Sequence, residues 1–231
     1  MRTNPVFVAL DTPSLAQASA LATSLKPHVG GIKIGLEFVS ANGPNGVRAM
    51  VATGVPVFLD VKLHDIPNTV SGAMKALAPL GAAIVNVHAS GGAAMMRAAA
   101  DAARSVPKPS KVIAVTVLTS LEQQDLAAMG IGGSPLDQVV RLAKLTKDAG
   151  LDGVVCSPQE ISAVRAACGP DFLIVTPGVR PLLGAADDQK RIMTPKRALE
   201  AGADYLVIGR PITAATDPVQ AAKQIAAELA D

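Results

Sequence analysis

Eight short runs rich in Val and Ile, each followed by a helix-forming stretch that is mostly rich in alanine, leave this chain few architectures to choose from. The runs fall at 6–11, 31–35, 57–62, 83–89, 112–118, 153–157, 172–177 and 205–210. Most are continuously apolar rather than alternating, the pattern of parallel strands buried on both faces. The stretches between them open on a repeated device, an N-capping side chain followed by proline: Thr12-Pro13, Ser134-Pro135, Ser157-Pro158, Thr194-Pro195 and Asp217-Pro218. Ser157 with Glu160 adds a capping box, and Gly150, Gly169 and Gly202 stand where helices of this kind end. Apolar faces such as Leu15, Ala18, Leu21, Ala22 and Leu25 supply the surface that packs on a sheet.

Eight β–α units predict an α/β fold, a closed (β/α)8 TIM barrel, with residues 1–231 forming a single domain. The competing open, doubly wound sheet usually carries a glycine-rich turn after its first strand. Here that turn is Asp11-Thr12-Pro13, which has no glycine. The segment 120–134 is longer than an ordinary connection and reads as a helical excursion over the active face. Hydrophobic residues make up 49% of the 231, enough for a large core. A net charge of +2 with scattered basic residues argues against nucleic-acid partners, and 2% aromatic content removes the stacking platforms that single-strand binders use. No apolar run approaches membrane-spanning length, and the first residues have no signal-peptide pattern, so the expected location is cytoplasmic. Cys156 and Cys168, twelve positions apart, read as reduced, buried residues.

Working residues of barrels gather at the C-terminal ends of the strands. Asp11 closes the first run, Lys33 lies inside the second, and Asp60 and Lys62 end the third. Thr119 follows the fifth, Arg180 follows the seventh, and Gly209-Arg210 close the eighth. Taken singly, Asp11 or Thr119 is explained as well by hydrogen bonding to strand-end backbone. The third run is different, because a two-residue period puts Asp60 and Lys62 on one face with Val61 on the other. Such a pair on a core strand must be matched internally, and a buried ion pair alone adds little stability. With Lys33 beside it as a second cation, the cluster reads as a site.

The string from Asp60 to Thr69, Asp-Val-Lys-Leu-His-Asp-Ile-Pro-Asn-Thr, resembles the signature of the orotidine 5′-monophosphate decarboxylase family. Val8-Ala9-Leu10-Asp11, Gly31-Ile32-Lys33-Ile34-Gly35, Thr176-Pro177-Gly178-Val179-Arg180-Pro181 and the segment 204–213 agree with it in order and spacing. The resemblance implies cofactor-free decarboxylation of orotidine 5′-monophosphate to uridine 5′-monophosphate in pyrimidine biosynthesis. It implies Lys62 as proton donor to C6 within a network of Lys33, Asp60, Lys62 and Asp65. It also implies a homodimer in which Asp65, Ile66 and Thr69 reach the neighbouring site. Substrate contacts would come from Asp11 and Lys33 at the ribose and Thr119 at the pyrimidine. Arg180, Gln189, the Gly209 backbone and Arg210 would hold the phosphate, with 182–194 closing over it.

No metal site is expected: His28 and His88 lack partners at ligand spacing. His64 and Met95-Met96 read as structural, Ser157 as a cap rather than a nucleophile, and Gly91-Gly92 as a helix start. The alternatives are a related barrel acting on a sugar phosphate, such as a keto-gulonate-phosphate decarboxylase, which generally uses a metal, and a non-catalytic phosphate-binding barrel, which has no need of Lys62.

Overall fold

A computed structural model describes residues 4–181 and 193–230. Eight parallel strands close into a barrel in chain order: β1 (Val6–Ala9), β2 (Gly31–Gly35), β3 (Val57–Leu63), β4 (Ile84–His88), β5 (Lys111–Val115), β6 (Gly153–Val155), β7 (Leu173–Pro177) and β8 (Tyr205–Ile208), with β8 paired to β1. Helices follow the strands around the outside, among them Leu15–Leu25, Pro67–Leu77, Gly92–Ala103 and Pro135–Asp148. The excursion after β5 contains the helix Gln123–Ala128.

Several strands stop earlier than the apolar runs suggest. Leu10, Thr116 and Cys156 are buried and each still donates one backbone hydrogen bond to the next strand, at 2.9, 3.2 and 3.2 Å. An apolar run reports burial, and burial outlasts the regular ladder at the C-terminal ends of these strands. Asp11 therefore lies beyond β1 instead of closing it. The first helix is capped by Ser14, whose side chain accepts from the Gln17 N–H, and not by Thr12; Thr12 instead bonds to Gln17 and to the Ser14 N–H. The expected caps at Ser134, Ser157 and Thr194 are present, and Asp217 accepts from the Gln220 N–H.

The core has two parts. A large one lies between the sheet and the helices and includes Phe38, Met50, Met74, Met95 and Met96. A smaller one fills the barrel: Phe7, Ala9, Phe58, Ile84, Ile113, Val175 and Val207, with Tyr205 edge-on to Phe7 at 5.1 Å between ring centroids. Gly31 belongs to this interior, where a Cβ would overlap the Phe7 ring. Cys156 and Cys168 are both free and buried, and burial pushes the Cys156 thiol up to about 12, so it stays an inert thiol.

The N-terminal face of the barrel is tied down by Arg165. Its guanidinium donates to the carbonyls of Gly169, Pro170, Phe172 and Gly202 and, at 2.7 Å, to Asp204 Oδ2, which also accepts from the Ile174 N–H. Arg165→Ala leaves those carbonyls and Asp204 partly unmatched, so it is expected to destabilise by about 2–3 kcal/mol, the cost of unpaired hydrogen-bonding groups around a lost charge. A urea midpoint that shifts while kcat does not is the expected result, because the charged cluster lies at the opposite face. An unmoved midpoint contradicts this role.

Candidate active site

The interior face continues past the apolar layer. By the two-residue period of each strand, Phe58 leads to Asp60, Ile84 to Asn86 and His88, Gly31 to Lys33, and Ala9 toward Asp11. Polar residues thus replace apolar ones at the C-terminal mouth, and four of them join in a line of alternating charge. Lys33 Nζ lies 3.0 Å from Asp11 Oδ1 and 3.5 Å from Asp60 Oδ2, while Lys62 Nζ lies 2.6 Å from Asp60 Oδ1. Lys33 is thus closer to Asp11 than to Asp60. The Gly35 position keeps the space open, since a Cβ there would come within 3.3 Å of Lys33 Nζ.

Burial grades the set. The Lys33 and Asp60 side chains are 11% and 12% exposed, whereas Lys62 is 28% exposed, so Lys62 is the member of the inner trio most open to a ligand. Burial by itself would raise the Asp60 carboxyl; Lys33, the hydrogen bond and charge of Lys62, and Asn86 outweigh it and hold Asp60 below the ordinary aspartate value. Asp60 is therefore ionised at neutral pH. Its stabilising contribution is present above an aspartate's usual value near 3.8 and is lost only as pH falls through its lower folded value.

Two features of this cluster escape a reading of the sequence. Lys62 is the non-glycine residue with positive φ among the described residues, at 51°. A left-handed conformation costs a residue with a Cβ about 1–2 kcal/mol and persists only where neighbours dictate it. The β3–β4 register shifts between Leu59 and Leu63, so Lys62 sits in an irregularity, not in the regular strand that its two-residue spacing from Asp60 implied. The second feature is Asn86, fully buried on β4. Its Oδ1 accepts from the Lys62 N–H at 2.7 Å, and its Nδ2 donates to Asp60 Oδ1 at 2.6 Å. The signal was there to be read: Asn86 is the one polar residue in Ile84-Val85-Asn86-Val87, on the parity of the barrel interior.

The other expected residues sit around the mouth without direct bonds to the cluster. Asp65 is exposed and accepts from the Ile66 N–H at 2.7 Å; among the described residues no ion pair links it to Lys62 or Lys33. Ile66 is 67% exposed and Thr69 is exposed, both at the start of the helix Pro67–Leu77. Thr119 is exposed in the turn after β5, and Arg180 is exposed after β7, its N–H donating to the Met193 carbonyl at 3.2 Å. Gly209 follows β8 with Ala9 and Asp11 close by, and Arg210 opens the short helix Arg210–Thr213. Gln189 and most of 182–194 lie outside the described residues.

His64 and His88 come together, their rings 5.5 Å apart, beside Lys62. His88 is held below its usual value by burial first, then by His64 and Lys62, with Asp60 opposing, and so is neutral at pH 7. Among the described residues, no group of three or more His, Cys, Asp or Glu side chains is placed to hold a metal ion. No described helix is long and apolar enough to cross a membrane.

A closed parallel barrel with charges converging at the C-terminal strand ends defines a (β/α)8-barrel enzyme. The chain belongs to the Orotidine 5'-phosphate decarboxylase / HUMPS family, whose sequence model matches residues 4–225. It is 57% identical to the orotidine 5'-phosphate decarboxylase of Rhodospirillum rubrum, over 99% of this chain and 95% of that protein. It is 58% identical to the one of Paramagnetospirillum magneticum, over 98% of each. Among solved structures it is similar to the orotidine 5'-phosphate decarboxylase of Lactobacillus acidophilus, with a TM-score of 0.88 and 38% identity over 99% of this chain and 100% of that one.

Proposed function

We propose that the protein decarboxylates orotidine 5′-monophosphate to uridine 5′-monophosphate without a cofactor, as a cytoplasmic homodimer. The observation that carries the reading is the 2.6 Å Asp60–Lys62 pair inside the barrel mouth, in a chain more than half identical to proteins named for this reaction. The C6–carboxylate bond breaks, CO2 departs, and the electron pair remains on C6 in the plane of the ring, where ordinary resonance does not spread it. Lys62 Nζ faces that pair, stabilises it as it forms and then transfers a proton to it. Its contact strengthens as charge grows, which is what lowers a barrier as opposed to improving binding alone. Asp60 holds Lys62 from beneath, and Lys33 balances Asp60 and Asp11 while reaching the ribose. Asp11 takes a ribose hydroxyl and Thr119 the pyrimidine edge.

The phosphate falls at the β7 and β8 ends, the usual phosphate site of these barrels, held by Arg180, Gln189, the Gly209 backbone and Arg210. Loss of orotidylate absorbance, unaffected by chelator, tests the reaction. Turnover of a sugar phosphate that stops with chelator, with orotidylate untouched, favours the metal-using relatives instead.

Asp65, Ile66 and Thr69 are proposed to complete the partner's site. Supporting this, Asp65 has no cation of its own among the described residues, and Ile66 exposes an apolar side chain beside it. Mixed after unfolding and refolding, inactive Lys62→Ala and Asp65→Asn proteins are expected to regain about a quarter of wild-type activity, because half of randomly paired dimers carry one intact site. No recovery places Asp65 outside the shared site.

A further inference from the structure

We propose that Asn86 is the positioning residue that sets Lys62 for proton transfer; this rests on the decarboxylase reading above. Among the described residues, its carboxamide is the one group bonded both to the backbone of Lys62 and to the carboxylate that holds the Lys62 ammonium. The orientation of the amide is dictated by its partners. The Lys62 N–H is only a donor, so Oδ1 must face it, and Nδ2 is then left to donate to the ionised Asp60.

The consequences join the two features that the strand pattern alone does not predict. The N–H of Lys62 turns inward to a side chain on β4 instead of a β4 carbonyl, and this accompanies the φ of 51° and the register shift between Leu59 and Leu63. With its backbone rotated, Lys62 folds its side chain back onto Asp60 Oδ1, the same oxygen that accepts from Asn86. Asn86 is fully buried and pairs with Ile113 on β5, so no solvent competes for either hydrogen bond. Charged and titratable groups around it are Asp60 and Lys62 on β3, Lys33 beyond Asp60 on β2, and His88 on its own strand. A hydrophobic residue at 86 would serve the barrel core equally well, as Ile84 and Ile113 do on the same interior face. Asparagine serves the position of Lys62.

Two substitutions test this. Asn86→Asp keeps the shape but can replace the Nδ2 donor only while the carboxyl groups at 60 and 86 share a proton. Two facing carboxylates of this kind do not both ionise at low cost, so the shared proton is lost as pH rises. We expect kcat of Asn86→Asp to fall about 10²-fold at pH 8, the penalty of a roughly 1 Å misplacement, and the deficit relative to wild type to shrink toward pH 5. KM should stay within about threefold, because the phosphate contacts lie elsewhere. A crystal structure of Asn86→Ala, which empties a small volume without adding charge, is expected to show residue 62 returned to negative φ. A pH-independent deficit in Asn86→Asp, or kcat within threefold of wild type, overturns the proposal; so does an unchanged φ in Asn86→Ala. Failure of the wild-type protein to convert orotidylate defeats the functional reading alone, since the backbone at residue 62 is read without turnover.

Discussion

Lys62→Ala is expected to lower kcat by about 10⁴-fold or more while uridine 5′-monophosphate affinity changes by less than about tenfold. The substitution removes the more exposed of the two ammonium groups in the inner trio: Lys33 is buried deeper and sits between Asp11 and Asp60. In the proposed pose it also leaves Asp60 without its Lys62 partner, beside the place where the substrate carboxylate would sit and the carbanion would form. Loss of the proton donor and exposure of negative charge act in the same direction, hence the size of the effect. Binding of the product would rest on the proposed phosphate and ribose contacts and is expected to survive. Single-turnover kinetics with a product-binding titration reads both quantities. A variant that turns over at the wild-type rate rejects Lys62 as the acid, whereas one that loses binding and turnover together makes it an anchor.

Removing the substrate's phosphate is expected to lower kcat/KM by about 10²–10⁴-fold. Arg180 and Arg210 would each donate charge-assisted hydrogen bonds of about 1.5–3 kcal/mol, and a tenfold change corresponds to about 1.4 kcal/mol. If phosphate binding also organises the reacting end, kcat falls along with a rise in KM. Orotidine assayed beside orotidylate reads this, and equal kcat/KM for the two removes the phosphate site. Addition of inorganic phosphite to the orotidine reaction separates positioning from simple tethering: partial rescue of turnover indicates that the bound anion itself organises the site.

The barrel was legible because its strands are short, apolar and separated by capped helices, and each of those signals is local. The charge cluster was legible for a related reason. Asp60 and Lys62 are two residues apart, and charges on a buried strand have few explanations. What was not legible depends on contacts between strands. The left-handed backbone at Lys62 arises where β3 meets Asn86 of β4, a residue whose chain neighbours show only apolar packing. The shorter distance from Lys33 to Asp11 than to Asp60 depends on how β1, β2 and β3 lie side by side, which spacing along the chain does not report. His64 and His88 likewise became neighbours only through the β3–β4 pairing. The strand ends were overread because apolar character marks burial, and burial continues after the ladder stops.

A crystal structure with bound uridine 5′-monophosphate decides whether Lys62 faces the reacting carbon. The pyrimidine C6 is expected within roughly 3–3.5 Å of Lys62 Nζ, with Asp60 beneath it and the phosphate against Arg180 and Arg210. A nucleotide bound with C6 turned away from Lys62, or seated outside the barrel mouth, contradicts that expectation.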